Sequence, residues 1–484
     1  MDSPADLRAA ALLTSAAATG QGHIFDSWGS LDEAQRSELL DDVKAANLGY
    51  LSVAFKASME ADGRPVDADA TPLQTVLSLT DATCEQRTEW RRTGLEMIAQ
   101  GRAAVLLLAG GQGTRLGSSA PKGCYDVGLP SGMSLFQIQA ERLKKVQLLA
   151  AAAAGPQAVV KPLQWYIMTS RFTHEETLAH FEAAGFFGLS RDQVHFFQQG
   201  FLPCLTEEGK IIMETDSRIA KAPDGNGGVY MALHRSGCLA HMEACGVECV
   251  DVYCVDNILA RVADPLFFGY CSSSGAQVGA KAVAKAHPGE RVGVFASRAG
   301  ALSVLEYSEL DASVAGAPDP ARPGRLLYNW ANICMHCFSV GWLRGVADAL
   351  AAGSAYHVAR KKIPSKDGPV SGIKLERFIF DPFPLADAGK VVVMEVERAA
   401  EFAPVKNAPG SQSDSPDTAR AAVLALHRRW VEAAGGAVVG DGGLEIAPGV
   451  SYAGEGLEAL CAGGGGGAFS SPRSDVLLGI GPAR

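Results

Sequence analysis

An α/β fold with an open, doubly wound, Rossmann-like sheet is what this sequence predicts, and three observations predict it. Short apolar runs at 105–108, 164–168, 194–197 and 250–255 have the length and composition of strands buried on both faces. Stretches with apolar residues at helical spacing separate them, among them 135–149 and 173–184. Glycine-rich or polar segments follow several of the runs at once, which is where open α/β sheets hold their ligands.

Taken in order, residues 1–100 read as an N-terminal helical lobe. Asp6–Thr14 and Leu31–Leu51 mix Ala, Leu, Glu and Lys at helical intervals, and Ser30 or Asp32 can cap the second. A catalytic domain is expected over 101–390, entered through a segment at 88–101, with Ser134 capping the helix after the first glycine loop. Val292–Val294 and Val304–Ser308 read as a hairpin, with Glu306 inside its second strand. Residues 391–484 are expected to form a small α+β domain. It holds a strand at 391–396, an amphipathic helix at 418–434 and short strands around 451–456. Five consecutive glycines at 463–467 read as a surface loop without a role.

The bulk numbers exclude several classes. At 484 residues the chain can bury a sizeable core, and 47% hydrophobic with 20% charged residues is ordinary for a globular protein. A net charge of −10 supplies no field to gather a nucleic-acid polymer, so a phosphorylated small molecule would need local cations. The 11 cysteines follow no disulfide framework, and the single C-x-x-C at Cys334 and Cys337 lacks the second pair a zinc ribbon requires. Asp2, Asp6 and Arg8 make the N-terminus a poor targeting segment, and no apolar run reaches membrane-spanning length. A cytoplasmic protein with reduced thiols, no membrane and no nucleic-acid partner is the expectation, as a monomer or weak homodimer.

The stretch VLLLAGGQGTRLGSSAPK, residues 105–122, carries the first chemistry. An apolar strand runs straight into Ala109, Gly110, Gly111 and Gly113, whose backbone N–H groups can close on an anion. Arg115 and Lys122 supply cations a few residues later. The P-loop is excluded because no Lys-Ser or Lys-Thr follows these glycines. The dinucleotide fingerprint is excluded because Gly117 comes one residue late and Pro121 interrupts an early helix.

Other candidates follow along the chain, each with a plainer reading beside it. Gln198-Gln199-Gly200 can present amide donors and acceptors to a base edge, or form a solvent-facing turn. KAPDGNGG at 221–228 is dense enough in glycine to suggest close approach to a ligand, although ordinary turn chemistry explains part of it. Asp256 ends an apolar run, where a carboxylate suits Mg²⁺ or caps a helix. Glu306 in an apolar strand needs sugar hydroxyls or an ion pair. Phe378 and Phe380 read as core, Lys374 and Asp381 stay open between supporting and neutral roles, and His336 and His427 read as structural.

The glycine stretch resembles the signature L-x-x-G-G-x-G-T-x-L-G…P-K of sugar-nucleotide pyrophosphorylases. Its continuation GCYDVGLPSGMSLFQIQAERL, with FFQQGFLP, PDGNGG, YCVDNIL, GIKLERFIFD and EFAPVKN, resembles the eukaryotic UDP-N-acetylhexosamine pyrophosphorylases over roughly 85–460. The resemblance implies a GT-A-like nucleotidyltransferase domain. It implies uridylyl transfer from UTP to N-acetylhexosamine 1-phosphate, giving UDP-N-acetylglucosamine (or the galactosamine isomer) and pyrophosphate. It assigns Leu108, Ala109, Gly110, Gly111, Gly113, Thr114, Gln199 and Gly225 to the nucleotide, with Gln199 on the uracil. Asn226, Gly293, Glu306 and Asn332 fall to the sugar, Asp256 to Mg²⁺ (or Mn²⁺), and Arg115, Lys122 and Lys406 to the phosphates. Ala331 stands where some members have glycine, which leaves the preference between N-acetylated and plain hexose open. Three alternatives stand beside this: a broad UDP-sugar or UDP-glucose pyrophosphorylase, an inactive nucleotide-sugar sensor, and a nicotinamide-dependent oxidoreductase disfavoured by the glycine spacing.

Overall fold

A computed structural model describes residues 4–62, 70–351, 356–439, 443–462, 468–470 and 476–478. The glycine run at 463–467 lies outside the described residues. The chain divides into two compact units, each assembled from three separated segments. The larger holds 69–198, 236–344 and 383–484, and the smaller holds 1–68, 199–235 and 345–382.

An 11-stranded mixed sheet, counted among the described residues, organises the larger unit. Its first long strands are β1 (Ala103–Leu108), β2 (Gln164–Thr169) and β3 (Val194–Gln198). Then come β4 (Cys249–Cys254), β5 (Val278–Ala284), the hairpin β6 (Val294–Arg298) and β7 (Ala301–Leu305), β8 (Trp330–Ser339) and β9 (Val391–Glu395). The order along the sheet is β3-β2-β1-β4-β8-β5-β9, with β6 paired to β8. The pairs β1–β2, β2–β3, β1–β4 and β5–β9 are parallel, as the alternation of strand and helix predicts. Between β4 and β5, however, β8 runs antiparallel to both. All six residues of β1 are buried, which explains its unbroken apolar sequence.

Helices cover this sheet. α1 (Cys84–Gln100) begins at a capping box between Thr83 and Gln86 and stops at Gly101 in the left-handed conformation. α2 (Leu135–Ala154) begins at Ser134, whose hydroxyl accepts from the Gln137 N–H as the sequence suggests. α3 (His174–Ala183) joins β2 to β3, α4 (Pro265–Ser273) packs against α1, and α5 (Pro416–Ala433) starts at a Ser415–Thr418 capping box. The α1–α4 crossing is close enough that a Cβ on Gly94 would lie 1.8 Å from the Pro265 carbonyl oxygen.

Three local expectations are corrected. The helix expected over 31–51 is two helices, Glu33–Ala46 and Leu48–Asp62, because Asn47 adopts the left-handed conformation between them. Glu306 lies just past β7 rather than inside it, because the hairpin turns at Ala299-Gly300, both at positive φ. The segment 451–456 is a loop, not a strand. There the Glu455 carboxylate accepts from the N–H groups of Tyr452 and Ala453 at 2.8 and 2.7 Å, so a side chain replaces the ladder.

In the smaller unit the helices Pro4–Ala18, Glu33–Ala46 and Leu48–Asp62 share one apolar core with the antiparallel strands His357–Ile363 and Val370–Glu376 and with 205–219. Buried Asp42 pairs with Lys221 at 2.5 Å and accepts from the Ile219 N–H, which fixes the start of the 221–228 loop.

Candidate active site

In the larger unit the glycine loop leaves β1 at Leu108. Ala109 donates to the Met168 carbonyl at 2.8 Å, and the loop then folds back so that the Lys122 N–H donates to the Gly111 carbonyl at 3.1 Å. Gly113 donates to Ala120 in the same way at 2.9 Å. This closure sets Lys122 beside the glycines and puts Arg115, exposed, on the short 3-10 turn Thr114–Leu116. The N–H groups of Gly110, Gly111 and Gln112 take no partner among the described backbone bonds. A Cβ on Gly111 would meet nothing within 4 Å, so internal packing does not explain that glycine. Free donors beside open space, with two cations close in sequence, form a cradle suited to phosphate.

The neighbouring strand supplies the next group. β4 pairs with β1 in parallel register, Leu108 opposite Cys254, and Val255 donates to the Leu108 carbonyl at 3.1 Å. Asp256 therefore leaves the sheet at the same end as the glycine loop. Its carbonyl accepts from Val405 at 2.9 Å, and Asn257 binds the same passing segment. The Asn257 amide donates to the Glu401 carbonyl at 2.8 Å and accepts from the Ala403 N–H at 3.0 Å. These bonds draw the 401–406 segment across the strand end and bring Lys406 near Asp256. Among the described residues no ion pair takes Arg115, Lys122 or Lys406, which leaves three cations for a ligand.

A buried charge cluster anchors that segment. Lys281, fully buried in β5, reaches Asp264 at 2.7 Å and Glu401 at 2.5 Å, and its pKa is pushed up to about 12 because those carboxylates outweigh the cost of burial. Farther along, the backbone carbonyl of Asp414 accepts from the N–H groups of both Lys406 and Asn407, at 2.7 and 2.8 Å. The Asp414 carboxyl is held above its usual range, first by burial and then by Asp256 and Glu290, with Lys406 opposing. Neither Lys281, Glu401 nor Asp414 stands out in the sequence as a site residue. A lysine inside the apolar run VGAKAVA was the one available signal.

Gly293, Glu306 and Asn332 are brought together at a bulge in β8. Asn332 donates its N–H to the Gly293 carbonyl at 2.8 Å, and a Cβ on Gly293 would lie 2.9 Å from a Glu306 carboxylate oxygen. The register of β8 shifts between Asn332 and His336, and Cys334 in the bulge has φ of +53° and donates its N–H to the Asn332 side chain. Ala331 is fully buried opposite Val294.

The remaining expected residues, Gln199, Gly225 and Asn226, belong to the smaller unit. The Gln199 amide nitrogen donates to the Gly225 carbonyl at 2.7 Å, and the Asn226 side-chain oxygen accepts from Ile379 at 3.0 Å. The glycines of this loop are crowded by their own chain. A Cβ on Gly225 would lie 2.2 Å from the Arg377 carbonyl oxygen, and one on Gly227 would lie 2.4 Å from that of Phe378. Of the neighbouring candidates, Asp381 accepts from His357 and from the Phe378 N–H, and Phe380 is buried.

The donor set limits what metal the larger unit can take. No group of three or more His, Cys, Asp or Glu side chains arranged to hold an ion exists among the described residues, Cys334 and Cys337 included. Asp256, half-buried, with Asp414 nearby, fits an ion that takes one or two carboxylates and completes its shell with substrate phosphates, which is the habit of Mg²⁺.

The sheet and the glycine loop at its strand ends fit a nucleotidyltransferase, and comparison with known proteins shows one. The profile of the family described as UTP--glucose-1-phosphate uridylyltransferase matches residues 69–414, and the chain belongs to that family. It is 50% identical over 454 residues to UDP-N-acetylglucosamine diphosphorylase 2 of Arabidopsis thaliana, covering 92% of this chain and 90% of that protein. It is 40% identical over 458 residues to the UDP-N-acetylglucosamine pyrophosphorylase of Saccharomyces cerevisiae, covering 90% and 94%. The crystal structure of the uridine diphosphate N-acetylglucosamine pyrophosphorylase from Trypanosoma brucei, in complex with an inhibitor, superposes with a TM-score of 0.84 at 32% identity, covering 98% of this chain and 99% of that one. No helix among the described residues is long and apolar enough to cross a membrane.

Proposed function

We propose that this chain makes UDP-N-acetylglucosamine and pyrophosphate from UTP and N-acetylglucosamine 1-phosphate. The 50% identity to the Arabidopsis thaliana diphosphorylase across 92% of the chain carries the reading. In the reaction a phosphate oxygen of the sugar phosphate attacks the α-phosphorus of UTP as the bond to pyrophosphate breaks. No protein nucleophile is required, so placement and positive charge are the protein's contribution. The N–H groups of Gly110 and Gly111, with Arg115 and Lys122, hold the triphosphate and take up charge on the departing pyrophosphate. Lys406 holds the incoming phosphate, which must approach another anion. Gly293, Glu306 and Asn332 line the sugar, and Gln199, Gly225 and Asn226 keep the base and sugar roles that the resemblance assigns.

Asp256 would hold Mg²⁺, which when bound neutralises phosphoryl oxygens. Pyrophosphate release measured across a panel of sugar 1-phosphates tests the reading, with N-acetylglucosamine 1-phosphate expected to exceed glucose 1-phosphate. Equal or greater release with glucose 1-phosphate points instead to a broad UDP-sugar pyrophosphorylase. Chelation of divalent ions should abolish release, and Mg²⁺ should restore it; full activity in chelator removes the role given to Asp256.

A further inference from the structure

Two thiols meet at the edge of the candidate site, and the proposed transfer uses neither. Cys254 is the last residue of β4, two positions before Asp256, and Cys334 sits in the bulge of β8 that also holds Asn332. Both are half-buried, whereas Cys249, Cys271 and Cys337 are buried in the core. Strand pairing brings the first two together. β8 runs antiparallel to β4 with His336 opposite Val252. Two residues farther toward the site on each strand come Cys334 and Cys254, and a step of two returns a strand to the same face. The bulge stays against the end of β4, because the Asn257 amide donates to the Met335 sulfur at 3.7 Å. Opposed residues of an antiparallel pair stand about 4.5–5.5 Å apart at Cα, within the roughly 4.4–6.8 Å that a disulfide spans. Each thiol is also the largest influence on the other's pKa, Cys254 raised and Cys334 lowered, in keeping with close approach.

We infer that Cys254 and Cys334 are a reversible oxidation site, joined as a disulfide that shuts the candidate site down. The oxidant is a small disulfide of the glutathione class. The Cys334 thiolate attacks one sulfur of glutathione disulfide and releases a glutathione thiolate. The Cys254 sulfur, after losing its proton, attacks the Cys334 sulfur and releases the second glutathione. The two protein sulfurs are oxidised, glutathione disulfide is reduced to two glutathiones, and the two thiol protons pass to them. Disulfides open to solvent are the labile, regulatory kind. The new bond ties the strand end that leads to Asp256 onto the bulge. Since the Cys334 N–H holds the Asn332 side chain at 2.9 Å, moving Cys334 displaces Asn332 as well.

The test incubates the full chain with glutathione disulfide and maps its peptides by mass, so the bond is read without any assay of activity. A Cys254–Cys334 disulfide is expected, and dithiothreitol should remove it. Pyrophosphate release should fall at least about tenfold in the oxidised chain, since misplacing reacting groups by about 1 Å costs that much or more, and should return on reduction. Cys334→Ser, compared with its own untreated form, should keep its activity through the same treatment. Both thiols still free after oxidation, or bonded only to other cysteines, overturns the inference. A Cys254–Cys334 bond that leaves pyrophosphate release unchanged overturns it too, as does an equal loss of activity in oxidised Cys334→Ser. A chain that forms and loses the bond but never turns over UTP supports the oxidation site and counts against the proposed function instead.

Discussion

Two glycine-rich loops look alike in sequence and do opposite things in the fold. In the larger unit, AGGQG at 109–113 keeps open space: a Cβ on Gly111 would touch nothing within 4 Å, and Gly113 has its first neighbour at 3.4 Å. In the smaller unit, DGNGG at 224–228 leaves no room for a side chain at its three glycines. Hypothetical Cβ atoms on Gly225, Gly227 and Gly228 would lie 2.2, 2.4 and 2.0 Å from the chain's own atoms. Glycine supplies the same freedom in both, but the side-chain position is left open at Gly111 and is filled with backbone and a buried carboxylate at Gly225, Gly227 and Gly228. Glycine density therefore marks a close approach without saying what approaches.

Breaking the crowded loop should give the largest effect. Gly225 has φ of +84°, and its Cβ would run into the Arg377 carbonyl oxygen, so Gly225→Ala carries both backbone strain and overpacking. A loss of about 3 kcal/mol or more in folding stability is expected, read by chemical denaturation. Stability within about 0.5 kcal/mol of wild type would show that the loop yields easily and that its crowding does not constrain it.

The same contrast shows what the sequence could and could not disclose. β1 to β4 were legible because strands buried on both faces must be continuously apolar, and the caps at Asp32 and Ser134 because few residues can accept a helix's first N–H groups. The antiparallel insertion of β8 between β4 and β5 was not legible, since a buried strand has the same composition in either direction. Chain order also does not carry the interleaving of three segments in each unit. At the candidate site, the glycine loop, Arg115, Lys122, Asp256 and Lys406 stood out because cations and carboxylates beside strand ends have a chemical use. Lys281 and Glu401 did not, because their partners are remote in sequence: Lys281 is 17 positions from Asp264 and 120 from Glu401. A charge whose partner is that far away reads as solvated surface until the fold pairs it.

Removing a cation beside the open loop should act on chemistry and leave the fold alone. Lys122 is held through its backbone bond to Gly111, and its side chain enters no ion pair among the described residues. Lys122→Ala is expected to lower turnover at least about 100-fold, equivalent to about 2.7 kcal/mol of lost electrostatic stabilisation. Its denaturation midpoint should match the wild type. Arg115→Ala should behave the same way, and near-normal turnover in both would take the phosphate role from this loop.

Gly111→Ala is the smallest and most discriminating change. Gly111 is not at positive φ, and no neighbour stands where the methyl group would go, so the folded state should accept alanine without strain. Alanine also restricts the unfolded chain, which favours folding by about 0.4–1 kcal/mol when the native conformation is compatible. Stability should hold or rise slightly. The methyl group would nevertheless occupy the volume beside the free N–H groups, so KM for UTP should increase about tenfold, or about 1.4 kcal/mol. One alanine would then cost ligand but not fold, whereas Gly225→Ala costs fold. If Gly111→Ala bound UTP normally, the open space would be only a gap in the surface, and Gly111 would need no ligand to explain it.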